Sequence, residues 1–440
     1  MNRRNFLQLT GLSTIPVVTG TLPVIPGARP HATAKSTANG APAMSANGAP
    51  PNQASENQAG ENQAGAKPAA LAGPEPAIVW FTRDGPRLDP DQYITLLGEI
   101  NKTNPIKADA YGEGGTVADL LAKFMELTGK EAAIYMPSGT LANQLAIAVL
   151  SGANDKVFVQ ETSHVYRDEA DAAQSVYGKR LMPLAKGSYT FTLQDLQQEI
   201  NYVEKEEYFK TGIGAVSIEI PVRRCNNQVP PISELKKISA WCKEKNYKLH
   251  LDGARLHLAS AWSGVSVKEY ASLFDTVYMC LYKYLGASSG AVLCGSKEQI
   301  TPMEHLVKVH GGAMYQNWAN ASIALHHLQG LENRLTAAKE TWEKLMPPLN
   351  SIGAFQIQPV PNGCNIFHIT MNPGYDGKKL AEALRGEHAI RLPTPDEEDG
   401  AIHLHVNETI LQRDQNAIIT AFTAAAAAAK AAKTAKAAKA

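Results

Sequence analysis

Two residues in this chain have the type and the setting from which amine chemistry on a carbonyl can be built. They are Asp252, in HLDGARLHLA, and Lys283, in CLYKYLGA, 31 residues further on. Asp252 closes the alternating run KLHLD and Lys283 closes DTVYMCLYK, and each run reads as a buried strand. Both side chains then emerge at strand ends, where open α/β sheets hold their ligands. A lysine there can form a Schiff base with a carbonyl, and a carboxylate beside it can pair with a pyridinium nitrogen. The combination fits pyridoxal phosphate, whose ring acts as an electron sink while its nitrogen is protonated, a state that a neighbouring negative charge favours.

The elements that must position these groups are legible around them. YMPSG reads as a strand that runs at once into the helix TLANQLAIAVL, so Ser138, Gly139 and Thr140 sit at a helix N-terminus, where free N–H groups and two hydroxyls suit a phosphate. Serine and threonine also cap helices that bind nothing, so this signal gains weight only from its company. KVFVQETSHVY runs as a strand into a loop bearing His164; RLMPLA, AVSIEI, KLHLD, TVYMCL and GAVLCG supply further strands, with LQQEINYVEKEEYF and ISELKKISAWCKEKN as helices between them. Strand and helix alternating in this way predict an α/β fold with a mainly parallel sheet and helices on both faces. FQIQPV, NIFHIT, YDGKKLAEALRG, AIHLHVN and ILQRDQNAIITAF read as a smaller C-terminal α+β domain with an antiparallel sheet.

At 440 residues the chain is long enough for one large and one small domain. Its net charge is zero, which gives no basic surface for nucleic acid. Outside the N-terminus there is no apolar span of about 18 residues. The five cysteines, Cys225, Cys242, Cys280, Cys294 and Cys364, have neither disulfide-framework nor zinc spacing and read as core thiols; no metal site is expected. Arg3 and Arg4, then Phe6, Leu7 and a mildly apolar stretch ending at Ala32-Thr33-Ala34, resemble a twin-arginine export signal over residues 1–34, which implies a periplasmic or exported protein with no membrane anchor once the signal is removed. Residues 35–75, in which ANGAP and ENQAG each occur twice, read as a disordered low-complexity linker. The large domain with an N-terminal arm is expected over 76–330, the small one over 331–423, and an Ala/Lys tail lacking an apolar face over 424–440.

Read together and in order, YGEGGTV, YMPSGTLANQ, the His164 loop, HLDGARLHLA, CLYKYLGA and HGGAMYQ resemble the threonine aldolase and β-eliminating lyase family of fold-type I pyridoxal phosphate enzymes. The resemblance covers most of residues 77–410. It implies a homodimer or homotetramer with active sites at subunit interfaces, and an amino acid as substrate. Carried across, it makes Lys283 the Schiff-base lysine, Asp252 the pyridinium partner and His164 the ring stacked on the cofactor. Ser138, Gly139 and Thr140 would cradle the phosphate, and Arg255 would lie against substrate and cofactor oxygens, where a guanidinium can bind a carboxylate bidentately. Tyr111 and Lys308 match positions that reach the site from the neighbouring subunit.

The departures are as informative. Glu219 is followed by Ile220, Pro221, Val222 and Arg223, so the family's Asn-Thr-His-Asn run and its histidine are absent. His403 stands where the family has an arginine for the substrate carboxylate, Tyr315 replaces another arginine, and WFTRDGP replaces the SDTVT motif. Arg223, or Arg83 from the N-terminal arm, is then a candidate for the missing positive charge. The expected chemistry is aldol cleavage of a β-hydroxy amino acid to glycine and an aldehyde. β-Elimination or transamination on the same cofactor is the alternative, and a non-catalytic exported binding protein on this scaffold is a third reading.

Overall fold

The computed structural model describes residues 77–82, 84, 85 and 87–430. The expected signal (1–34), the linker (35–75), Arg83 and the last ten residues lie outside the described residues. Twelve strands occur among the described residues: β1 (Val79–Trp80), β2 (Ala132–Met136), β3 (Lys156–Gln160), β4 (Arg180–Leu184), β5 (Ile213–Glu219), β6 (Lys248–Asp252), β7 (Thr276–Cys280), β8 (Ala291–Gly295), β9 (Phe355–Pro359), β10 (Ile366–Met371), β11 (Ile390–Arg391) and β12 (Ile402–His405). Seven of them form one sheet in the order β2-β8-β7-β6-β5-β3-β4. All its pairings are parallel except those β8 makes with β2 and β7. Every residue of β3, β7 and β8 is buried, as a sheet covered on both faces requires.

Alternation then sorts the side chains by face. Val277 and Met279 join Leu251, Val216 and Phe158 beneath the helix Gly115–Thr128, through Leu120 and Phe124. Tyr278 and Cys280 point the other way, into a cluster with Leu141 and Leu145 of the helix Gly139–Ser151. Local signals set the helix ends: Asp89 caps Pro90–Thr103 in a capping box with Gln92, and Gly129, at φ 68°, ends Gly115–Thr128 in the left-handed conformation that glycine tolerates. Lys283 lies three residues beyond the end of β7, in a turn, whereas the sequence pattern carried the strand up to it. No helix among the described residues is long and apolar enough to cross a membrane.

The C-terminal part holds the antiparallel sheet β12-β10-β9. Phe355, Ile357, Phe367, Ile369, Ile402 and Leu404 pack there against Trp342, Leu345 and Leu349 of the helix Leu331–Asn350. Two boundaries differ from expectation. The N-terminal arm belongs with this smaller core: β1 pairs in parallel with β11, and Val79 and Phe81 are buried in the same cluster. The helix Gln415–Ala428 also runs past residue 424 with an apolar face after all, since Ala425, Ala426 and Ala429 are buried beside Phe422. Small alanine side chains let the helix approach closely, a packing role that hydrophobicity alone does not reveal.

Candidate active site

At the C-terminal ends of β5, β6 and β7 a pocket is lined by Lys283, Asp252, His164, Arg255, Gly139 and Thr140, together with Glu169 and Glu219. Six of the residues singled out in the sequence thus come together. Asp252 is 2 % exposed. Its Oδ2 accepts from Asn143 Nδ2 at 3.0 Å and its Oδ1 from the Ala254 N–H at 3.2 Å. Both carboxylate oxygens therefore have a donor, which fixes the plane of the group. Behind it, Asn143 Oδ1 faces His250 Nε2 at 2.9 Å, and the other ring nitrogen faces the Thr276 hydroxyl at 2.9 Å. Burial holds the His250 pKa down to about 4, so this ring is neutral and the chain of hydrogen bonds has a fixed direction ending on Asp252.

Asn143 also donates to Glu169 Oε1 at 2.7 Å, and the same oxygen lies 3.0 Å from His164 Nδ1. Burial alone would lower the His164 pKa, but the hydrogen bond to Glu169 and the charges of Asp252, Glu169 and Glu219 overcome it and raise it. Burial raises the Glu169 carboxyl. Glu219 Oε2 accepts from the His164 N–H at 2.7 Å and Oε1 from the Arg223 N–H at 3.0 Å, which fixes the backbone where the histidine enters the pocket. Asn143, Glu169 and Glu219 were not candidates from sequence. Asn143 lies in the quoted TLANQ and Glu219 marks a motif boundary, so signals existed; Glu169, in the acidic run DEAD, reads as solvated surface.

The helix Gly139–Ser151 points its first turn at the pocket. Ser138 Oγ is used as the cap, accepting from the Leu141 N–H at 3.3 Å, while among the described residues no acceptor pairs with the N–H groups of Gly139 and Thr140. A Cβ at Gly139 would stand 2.1 Å from the Tyr278 hydroxyl, so only glycine leaves this cradle open. An unpaired helix N-terminus, a buried carboxylate and a lysine with no hydrogen-bonding acceptor among the described residues match the phosphate, ring nitrogen and carbonyl of pyridoxal phosphate in turn. The residues present fit the group.

Other expected residues are placed differently. The Arg255 fork is already taken: Nε and Nη2 donate to the two oxygens of Asp84 at 2.8 and 2.7 Å. It positions the N-terminal arm instead of lying free for a carboxylate. Arg223 Nη2 donates to Asp168 Oδ2 at 2.6 Å, but Arg224 binds the same carboxylate, leaving one positive charge in excess beside the pocket. His403 does not line the pocket; it lies 2.9 Å from Asp399 and stacks on His368. Strand geometry explains this, because the residue two further along β12, His405, is the one within electrostatic reach of Asp84 and Arg255. Tyr111 and Lys308 meet each other, the ammonium 4.5 Å from the ring centroid, next to Tyr315 and away from Lys283 in this chain.

Comparison with known proteins agrees with this geometry. The low-specificity L-threonine aldolase of Candida albicans is 34 % identical over 285 residues, covering 64 % of this chain and 75 % of that protein. Among solved structures, a candidate aromatic amino acid beta-eliminating lyase/threonine aldolase from Exiguobacterium sp. 255-15 superposes with a TM-score of 0.66 at 22 % identity, over 80 % of this chain and 97 % of its own. A candidate L-allo-threonine aldolase from Listeria monocytogenes gives 0.65 at 23 %, over 79 % and 95 %. These likenesses establish the fold-type I architecture. A sequence profile of the beta-eliminating lyases matches residues 103–371, a span that holds Asn143, His164, Glu169, Asp252 and Lys283, and the chain belongs to the beta-eliminating lyase family.

Proposed function

We propose that this protein is a pyridoxal-phosphate-dependent carbon–carbon lyase that cleaves a β-hydroxy amino acid into glycine and an aldehyde. The observation that carries the reading is the convergence of Lys283, Asp252 and the Glu169–His164 pair on one pocket. Bound pyridoxal phosphate supplies an electron sink for the bonding pair released at the α-carbon. Lys283 provides the amine for its covalent attachment, and Gly139 and Thr140 provide the N–H groups for its phosphate. Asp252, held in place by Asn143 and the Ala254 N–H, would pair with the ring nitrogen.

The family histidine missing after Glu219 leaves the β-hydroxyl proton to be taken elsewhere, and His164 supplies the base. Its Nδ1 is tied to Glu169, so Nε2 is the acceptor, and the carboxylate stabilises the imidazolium that results. With Arg255 committed to Asp84, the excess charge of the Arg223, Arg224 and Asp168 group is the receptor for the substrate carboxylate. Offering β-hydroxy amino acids singly to the cofactor-loaded protein and assaying products tests the reading. Glycine with a stoichiometric aldehyde is expected; ammonia with a 2-oxo acid would replace aldol cleavage by β-elimination or transamination, and no product from any amino acid would leave a binding protein.

The same reading includes a homo-oligomer. The exposed group of Tyr111, Tyr315 and Lys308 supports it, since aromatic faces left on a surface are typical of interfaces. It also includes export, supported by the paired arginines near the N-terminus. Light scattering on the purified protein and N-terminal sequencing of protein recovered from the cell envelope test the two; a monomer, or a retained Met1, would count against them.

A further inference from the structure

The smaller sheet carries a second cluster of ligating side chains, separate from the pocket at Lys283. His368 on β10 and His403 on β12 are directly opposed in the antiparallel register. Their rings stack with centroids 4.5 Å apart and planes 16° from parallel. Asp399, in the turn before β12, places Oδ2 2.9 Å from His403 Nε2, while its Oδ1 accepts from the Ala401 N–H at 2.8 Å. That backbone bond orients the carboxylate. His368 Nε2 is buried and has no hydrogen-bond partner among the described residues, a condition that costs about 1–3 kcal/mol unless something occupies the nitrogen. One ligand atom from each of the three residues lies within 4.8 Å of the other two.

From these observations we infer that His368, Asp399 and His403 form a binding site for a divalent transition-metal ion of the zinc class. Two imidazoles and a carboxylate are the nitrogen and oxygen donors that such an ion selects. Ligands about 2.0–2.1 Å from a tetrahedral ion lie roughly 3.4 Å apart, so closing the site takes side-chain rotation, with the strand register holding the two histidines in place. The ion satisfies His368 Nε2, and Ala401 supplies the backbone hydrogen bond that orients the ligating carboxylate. Asp399 and His403 retain exposed surface, which leaves an entry path and a fourth position for water. Ligands at 368, 399 and 403 are too widely and unevenly spaced for any linear motif, so only the pairing of β10 with β12 reveals them. The inference does not depend on the reaction proposed for the pocket.

The other group of this kind among the described residues is His164, Glu169 and Asp252, in the cofactor pocket. Saturating the protein with pyridoxal phosphate before titration keeps the probe from that group. The test is titration of this loaded protein with Co²⁺, followed by its visible ligand-field band and by calorimetry. One equivalent should bind and show a tetrahedral spectrum without thiolate charge transfer, and Zn²⁺ should displace it. His368→Ala, His403→Ala and Asp399→Ala should each weaken binding by more than the ~10–100-fold typical of losing a group that merely orients a ligand. The variants' thermal unfolding without metal serves as the folding control. Co²⁺ binding unchanged in all three variants, or no stoichiometric binding to the wild type, would overturn the assignment.

Discussion

Glu219 and Asp252 stand side by side as register partners at the C-terminal ends of the parallel strands β5 and β6, 4 % and 2 % exposed. Two carboxylates in one buried slot resist ionising together. Burial, and next the charge of Asp252, push the Glu219 carboxyl from its ordinary 4.5 up to about 7. The folded protein therefore holds a proton on Glu219 across a window in which the unfolded chain has released it.

That window has a sign. Between about pH 4.5 and 7 the native state binds the extra proton, so this group's contribution to stability falls as pH rises through the window. Glu219→Gln removes the titration. Relative to wild type, the variant's unfolding free energy should gain about 3 kcal/mol between the two ends of the window. Urea denaturation of the cofactor-free protein at both pH values measures it; parallel profiles for the two proteins would show that Glu219 is not the group that titrates.

Asp252 and Lys283 were legible because each follows a hydrophobic alternation that can only be a strand, and the chemistry of strand ends is restrictive. The groups that organise them were not. Asn143 is one polar residue inside an apolar helix, and its role depends on His250 being 107 residues away in sequence and 2.9 Å away in space. Asp84 likewise takes its meaning from Arg255, 171 residues on. His403 was expected in the pocket because it stands where the family has an arginine, and matching a position does not say which neighbour its side chain meets: it is found beside Asp399.

Lys283 has no hydrogen-bonding acceptor among the described residues, which leaves its amine available for covalent attachment. Lys283→Ala should lose both turnover and covalently held cofactor while keeping its fold. Borohydride treatment of the loaded wild type followed by peptide mass mapping should place the label on Lys283. A label on any other lysine would displace the assignment.

Asp252→Asn keeps the shape of the side chain and removes its charge. The Asn143 amide would then face another amide, and the ring nitrogen would lose the group that holds its proton. A drop in kcat of about 10²–10³-fold is expected, the scale seen when one preorganised electrostatic partner is removed. An unchanged kcat would mean that a different acid serves the ring.

His164 works as a base only when neutral, so kcat/KM should rise with pH through its pKa. Burial lowers that pKa, and the hydrogen bond to Glu169 together with the charges of Asp252, Glu169 and Glu219 outweighs burial. Glu169→Gln should therefore move the acidic limb of the profile to lower pH, while His164→Ala removes that limb and costs about 10²–10⁴-fold in rate. If Glu169→Gln leaves the limb where it was, a group other than His164 accepts the proton.

Val79 and Phe81 anchor β1 in the smaller core, and three residues later Asp84 binds Arg255, which follows β6 of the large sheet. The pair ties the two parts together across the edge of the pocket. The Arg255 side chain is 10 % exposed, so Asp84→Ala strands a buried guanidinium, at a cost of about 3–5 kcal/mol. Adding Arg255→Leu to that variant removes the unpaired charge, and the double variant should recover part of the loss. Urea midpoints of the two single variants and the double variant give the coupling directly. Strict additivity would show that the two side chains do not support each other, and that the arm is held by its apolar anchors alone.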